Sequence, residues 1–93
     1  MPRRSGLSDP VPLLLLTRPG CGLCEHFEQE LLELSRQMPL PPLQRVDVDS
    51  DPELARRHGL DIPVLLWGGV KVCQHRLDRA ELVRLLRPRG SGA

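Results

Sequence analysis

Four consecutive leucines, Leu13 to Leu16, lie inside the run Val11-Pro12-Leu13-Leu14-Leu15-Leu16-Thr17 and restrict the fold more than any other stretch of this chain. A short unbroken apolar run is the form of a strand covered on both faces, as in a parallel sheet. It falls far short of the roughly 20 apolar residues that a membrane-crossing helix needs. A crossover to the next strand is then required, and the following residues supply one. Pro19-Gly20 carries turn chemistry, after which Cys24, Phe27, Leu31, Leu34 and Met38 recur at helical spacing. The spacing predicts a helix over Gly22 to Gln37, with Glu25, Glu28, Glu30 and Glu33 mainly toward solvent, stopped by Met38-Pro39-Leu40-Pro41-Pro42.

The rest of the chain continues in short elements. Leu43 to Val48 alternates and reads as an edge strand, parallel to the first in a right-handed βαβ unit. Ser50-Asp51-Pro52-Glu53 reads as a capping box that opens a short helix, which Gly59 should end in the left-handed conformation with apolar Leu60 beside it. Val64 to Trp67 and Val70 to His75, joined by Gly68-Gly69, predict an antiparallel hairpin. Asp78-Arg79-Ala80-Glu81 reads as a second capping box, opening a helix whose core face is Leu82, Val83, Leu85 and Leu86 and which Pro88 closes. Residues 1–10 are expected to be a flexible arm, 11–88 one domain and 89–93 a frayed end.

The spacing Cys21-Gly22-Leu23-Cys24 puts two sulfurs where the first strand turns into the first helix. Unpaired N–H groups and the positive end of the helix dipole favour a thiolate there, and can lower a cysteine pKa from about 8.5 into the range of roughly 3.5 to 7.5. Cys21 is therefore the expected attacking sulfur. Cys24, one turn in and on the stripe with Phe27, is the expected resolving thiol that closes a Cys21–Cys24 disulfide. The same spacing occurs in zinc sites, but Cys73, His58 and His75 form no second spaced pair, so no metal site is expected. Cys73 reads as a buried reduced thiol in the last strand, and Trp67 and Phe27 as core. His26, His58 and His75 read as surface residues.

Composition narrows the classes further. A net charge of +1 with interspersed signs gives no footprint for nucleic acid or an anionic membrane. Three cysteines are too few for a disulfide-stapled secreted scaffold and fit a reducing compartment, so a cytoplasmic location is expected. A monomer is expected as well. Met1-Pro2-Arg3-Arg4 followed by the apolar run has the outline of a signal peptide. That run, however, flows directly into the cysteine motif without a small-residue cleavage site, and removing it would delete the first strand.

Numbered in chain order, the predicted elements are β1 (11–17), α1 (22–37), β2 (43–48), α2 (between Asp51 and Gly59), β3 (64–67), β4 (70–75) and α3 (between Asp78 and Pro88). This order, with Cys-x-x-Cys after β1, Ile62-Pro63 before β3, the Gly68-Gly69 hairpin and a terminal helix, resembles a small glutaredoxin-like protein. The resemblance covers residues 11 to 87. It implies the α/β thioredoxin-like fold: a four-stranded mixed sheet with helices on both faces. It also implies thiol-disulfide oxidoreductase activity toward a disulfide-containing protein or small molecule, with glutathione or a thioredoxin-type reductant as electron donor and no permanently bound cofactor. In such proteins a cis-proline loop, here Ile62 and Pro63, packs against the Cys-x-x-Cys and offers backbone groups to an extended peptide or to glutathione. Substrate contacts are implied for Gly22 and Leu23 as well.

Arg18 stands where many glutaredoxins have a lysine near the glutathione carboxylate, and reads equally as a solvated loop residue. Asp78 stands near the family's acidic glutathione contact, although a role as N-cap of α3 suffices for it. Typical dithiol members carry Cys-Pro-Tyr-Cys and a Gly-Gly pair after β4. Here Gly22-Leu23 and the bulky His75-Arg76 replace them, which favours dithiol exchange over glutathione use. A different class of reading is a non-catalytic binding module for a protein partner or a glutathione-ligated iron-sulfur cluster. Cluster-binding relatives often have a single active-site cysteine, so Cys24 counts against the cluster. A structural domain with a vestigial motif is the third reading.

Overall fold

The computed structural model describes residues 11–87. The elements run β1 (Leu13–Thr17), α1 (Gly22–Gln37), β2 (Leu43–Asp47), a 3-10 turn (Val48–Ser50), α2 (Pro52–His58), β3 (Val64–Trp67), β4 (Val70–Gln74) and α3 (Arg79–Leu86). The arm expected at 1–10 and the fraying expected at 89–93 lie outside the described residues, as does Pro88.

The sheet order is β2-β1-β3-β4, with β1 parallel to β2 and antiparallel to β3. β1 is thus an inner strand. Leu13, Leu15 and Leu16 are almost fully buried, but they serve opposite faces. Leu13 and Leu15 join Phe27, Leu31 and Leu34 of α1 and Leu82 of α3 in the larger core cluster. Leu16 joins Val48 and Val64 in a second cluster, against which Leu54 of α2 packs. Helices α1 and α3 therefore cover one face and α2 the other. The run of four leucines needs no polar alternation because both sides of the strand are covered.

Both residues of the Gly68-Gly69 turn have positive φ (59° and 80°), the backbone of a type I′ hairpin, which residues with a Cβ adopt reluctantly. The hairpin is not regular throughout. A register shift between Leu65 and Leu66 pairs them with Cys73 and Lys71, leaving Val72 as the extra residue on β4. Adjacent strand residues normally face opposite ways. The bulge lets Val72 and Cys73 both pack against the larger core cluster.

Several local expectations are corrected. Val48 is completely buried, so the chain turns in 3-10 form after β2, and Ser50 Oγ donates to the Asp47 carbonyl at 2.7 Å. With that hydroxyl occupied, Asp51 rather than Ser50 caps α2, accepting from the Glu53 N–H at 2.9 Å. The Glu53 carboxylate pairs with Arg56 and Arg57.

Gly59 ends α2 in the right-handed region (φ −57°), not the left-handed one. Its role is room: a Cβ there would lie 2.5 Å from the Ala55 carbonyl oxygen. Leu60 makes no apolar cap and is 97% exposed. β4 ends at Gln74, and His75 takes a left-handed φ of 71° while its N–H donates to the Pro63 carbonyl at 2.7 Å. At α3, Asp78 accepts from the Glu81 N–H at 3.1 Å, but Glu81 pairs with Arg84 instead of completing the box. Val83 stays outside the core clusters, whereas Leu85 and Leu86 pack against the larger one.

Candidate functional site

The cysteine motif is built by a turn and a helix start. The Cys21 N–H donates to the Arg18 carbonyl at 3.1 Å, with Pro19 and Gly20 (φ 79°) between them. Proline followed by a positive-φ glycine is the sequence of a type II turn. Cys21 then serves as N-cap of α1, in extended conformation, and its Sγ accepts from the Cys24 N–H at 3.1 Å. The two cysteines form a disulfide with Cα atoms 5.2 Å apart, inside the usual range of about 4.4–6.8 Å. Their surroundings differ: Cys21 is partly exposed, whereas Cys24 is 3% exposed and adjoins the apolar stripe of α1. One sulfur is accessible and the other sheltered.

Two clefts flank the start of α1. The first, of about 610 Å3, runs from Cys21 and Cys24 past Arg18 and Glu28 to Arg45 on the edge strand β2. The second, of about 530 Å3, is lined by Leu23 and Phe27 of α1, by Leu60 and Ile62 before β3, and by His75 and Arg76 after β4. The Ile62–Pro63 peptide is cis. Leu23, between the two cysteines in sequence, and Ile62, at the cis bond, thus line one groove.

Arg18 and Asp78 are otherwise engaged. The Arg18 guanidinium makes a two-pronged pair with Asp49, at 2.8 and 3.0 Å, and reaches the Gly59 carbonyl at 3.4 Å. It ties the β1–α1 loop to the α2 side of the sheet. The Asp78 carboxylate caps α3, and the Asp78 backbone N–H donates weakly to the Cys73 sulfur at 3.5 Å. Burial pushes the Cys73 thiol up from its ordinary pKa, against that hydrogen bond. Sequence reasoning missed Asp49 and Leu60. The acidic stretch Asp47-Val48-Asp49-Ser50-Asp51 signals an available carboxylate, but nothing in it marks Arg18, 31 positions away, as the partner.

The hydrogen bond from Arg18 holds the Asp49 carboxyl below its ordinary pKa; desolvation opposes this and the Arg18 charge adds to it. The folded value is the depressed one. The pair's contribution is therefore whole above the unfolded carboxyl value and is lost as pH falls through the folded value. In an NMR titration the Asp49 midpoint should lie below about 3.9 and return toward it in Arg18→Gln. An unchanged midpoint in that variant would sink this account of the pair.

The Glutaredoxin-like domain family (DUF836) matches residues 12–87. The chain belongs to that family. Relatives of this glutaredoxin-like chain include uncharacterized proteins of Mycobacterium tuberculosis (Rv0508) and Mycobacterium bovis (Mb0520). Each is 35% identical over 80 residues, covering 75% of this chain and 80% of the relative. Among solved structures, protein Ne2328 from Nitrosomonas europaea matches 94% of the chain and all of its own length, with 25% identity and a TM-score of 0.76. A mutant thioredoxin from Halobacterium salinarum matches 84% of the chain and 73% of its own, with 26% identity and a TM-score of 0.52. Thioredoxin-2 of the malaria parasite, 23% identical, shares the fold over 84% of the chain and 82% of its own (TM-score 0.56).

The fold of this glutaredoxin-like protein is therefore the thioredoxin fold. Family, fold and a cysteine pair at disulfide distance together support a thiol redox role. Among the described residues no helix is long and apolar enough to cross a membrane, and no three His, Cys, Asp or Glu side chains are grouped to hold a metal ion.

Proposed function

We propose that the chain is a thiol-disulfide oxidoreductase that reduces disulfides through a mixed-disulfide intermediate. The observation that carries this reading is the asymmetry of the pair: partly exposed Cys21 at the N-cap of α1, and Cys24 buried one turn inside. In the dithiol form the Cys21 thiolate attacks one sulfur of a substrate disulfide, and the other sulfur leaves as a thiolate with the bonding electron pair. Cys24 loses its proton and displaces the bound sulfur from Cys21. The substrate leaves as two thiols, having gained two electrons from the protein, which now holds the Cys21–Cys24 disulfide. A second dithiol, or two molecules of glutathione, returns the electrons.

The N–H of Cys24 and the helix N-terminus support the Cys21 thiolate. Gly22, Leu23, Ile62 and Pro63 would receive the substrate, with Arg18 and Asp78 at its margins. The engagement of Arg18 by Asp49 weakens the case for a glutathione carboxylate there.

Equilibration of the protein against glutathione redox buffers, with mass spectrometry of acid-quenched samples, tests the reading. The expected product is an intramolecular Cys21–Cys24 disulfide without a stable glutathione adduct. A pair that stays reduced, or accumulates only the adduct, would overturn it.

A further inference from the structure

Two of the exposed leucines, Leu23 between the two cysteines in sequence and Leu60 before β3, share one groove. Leu60 is 97% exposed and Leu23 is 57% exposed, and both line the second groove with Ile62 and Phe27. The fold holds Leu60 outward: the Asp61 N–H donates to the His58 carbonyl at 2.8 Å, so Gly59 and Leu60 form the tip of a turn. Two large apolar side chains kept in water in one groove, one of them between the two cysteines in sequence, mark a contact surface.

The rim adds a charge. Arg76 is exposed and makes no ion pair among the described residues, whereas His26 lies 3.8 Å from Glu30 and His75 lies 3.8 Å from Asp61. The groove thus offers apolar surface and one uncommitted cation. Glutathione fits this poorly, because it has no apolar side chain to cover the leucines, and Arg18, the cation beside the cysteine motif in sequence, is already held by Asp49. A protein segment with an apolar residue next to its cysteine would cover the leucines, and an acidic residue beyond would meet Arg76.

We propose that the groove of Leu23, Leu60, Ile62 and Arg76 docks an extended protein segment whose reacting cysteine is flanked by an apolar and an acidic residue, and that such a segment is preferred over glutathione. The proposal rests on the exchange chemistry above and names its substrate class.

The test uses thionitrobenzoate mixed disulfides of glutathione and of three short synthetic peptides: cysteine beside Leu with Glu beyond, beside Ser with Glu beyond, and beside Leu with Lys beyond. In each, the Cys21 thiolate bonds to the peptide or glutathione sulfur, and the electron pair of the broken S–S bond leaves on the coloured thionitrobenzoate thiolate. Reduced wild-type protein should release thionitrobenzoate from the Leu–Glu peptide about tenfold faster than from the Ser–Glu peptide or from glutathione. Leu60→Ser should erase the preference for Leu over Ser, and Arg76→Glu should reverse the preference for Glu over Lys. Both variants should leave the rate with the glutathione disulfide within about twofold of wild type, since neither side chain holds the fold together.

Fastest reaction with the glutathione disulfide, or wild-type preferences retained in both variants, would overturn the proposal. So would a concentration-dependent dimer that Leu60→Ser dissolves, because a second copy would then occupy the groove. No release from any substrate by wild type, or release retained in Cys21→Ser, would instead bring down the exchange chemistry itself, and the proposal with it.

Discussion

Cys21→Ser is expected to abolish disulfide exchange, while Cys24→Ser is expected to perform the first half of the reaction and stop. A serine hydroxyl does not ionise near neutral pH, so the first variant has no nucleophile at the accessible position. The second keeps Cys21 at the helix N-cap but has nothing to displace the bound substrate. With a model disulfide it should accumulate a covalent adduct whose mass exceeds the protein's by one half of the substrate. The contrast tests the unequal burial of the two sulfurs, Cys24 being 3% exposed. Adduct in Cys21→Ser, or equal trapping in both variants, would mean that the roles are reversed or shared.

Phe27→Ala is expected to cost the fold about 3–5 kcal/mol, the usual range for emptying a buried aromatic site. Phe27 is the only phenylalanine in the chain and is 1% exposed, packed in the cluster that joins β1, α1 and α3. A domain this small has a total stability of about 5–15 kcal/mol, so the loss is a large share of it. Urea unfolding of wild type and variant, both oxidised, measures the difference. A loss below about 1 kcal/mol with an unchanged slope would show that Phe27 is not a pillar of this core. Phe27 also stands one turn beyond Cys24 on the same buried stripe, so the loosened variant should expose Cys24 to alkylation more readily after reduction.

What was legible in advance follows from short-range physics. The unbroken leucines of β1, the helical recurrence of Cys24, Phe27, Leu31 and Leu34, and the Gly68-Gly69 turn each express a local preference, and all appear where the pattern puts them. Where expectations slipped, tertiary packing or strand pairing had redirected a local choice. The Ser50 hydroxyl went to the Asp47 carbonyl once Val48 was buried, and capping passed to Asp51. Lys71, Val72 and Cys73 look like ordinary alternation, and only pairing with β3 reveals the bulge that turns both Val72 and Cys73 to one core.

The same division applies to the site. By itself the sequence determined the redox pair at the start of a helix, because turn residues, spacing and dipole all act within one turn of Cys21. It also determined the position of the proline whose peptide bond is cis before β3. Tertiary structure alone decided what surrounds the pair. Folding brought Asp49 to Arg18, engaging a cation that in the chain stands free beside the motif. It also set Leu60, at a turn tip, and Ile62 in one groove with Leu23, from which they stand 37 and 39 positions away in the chain. Charge pairing and groove shape depend on which distant segments meet, and no local periodicity encodes that.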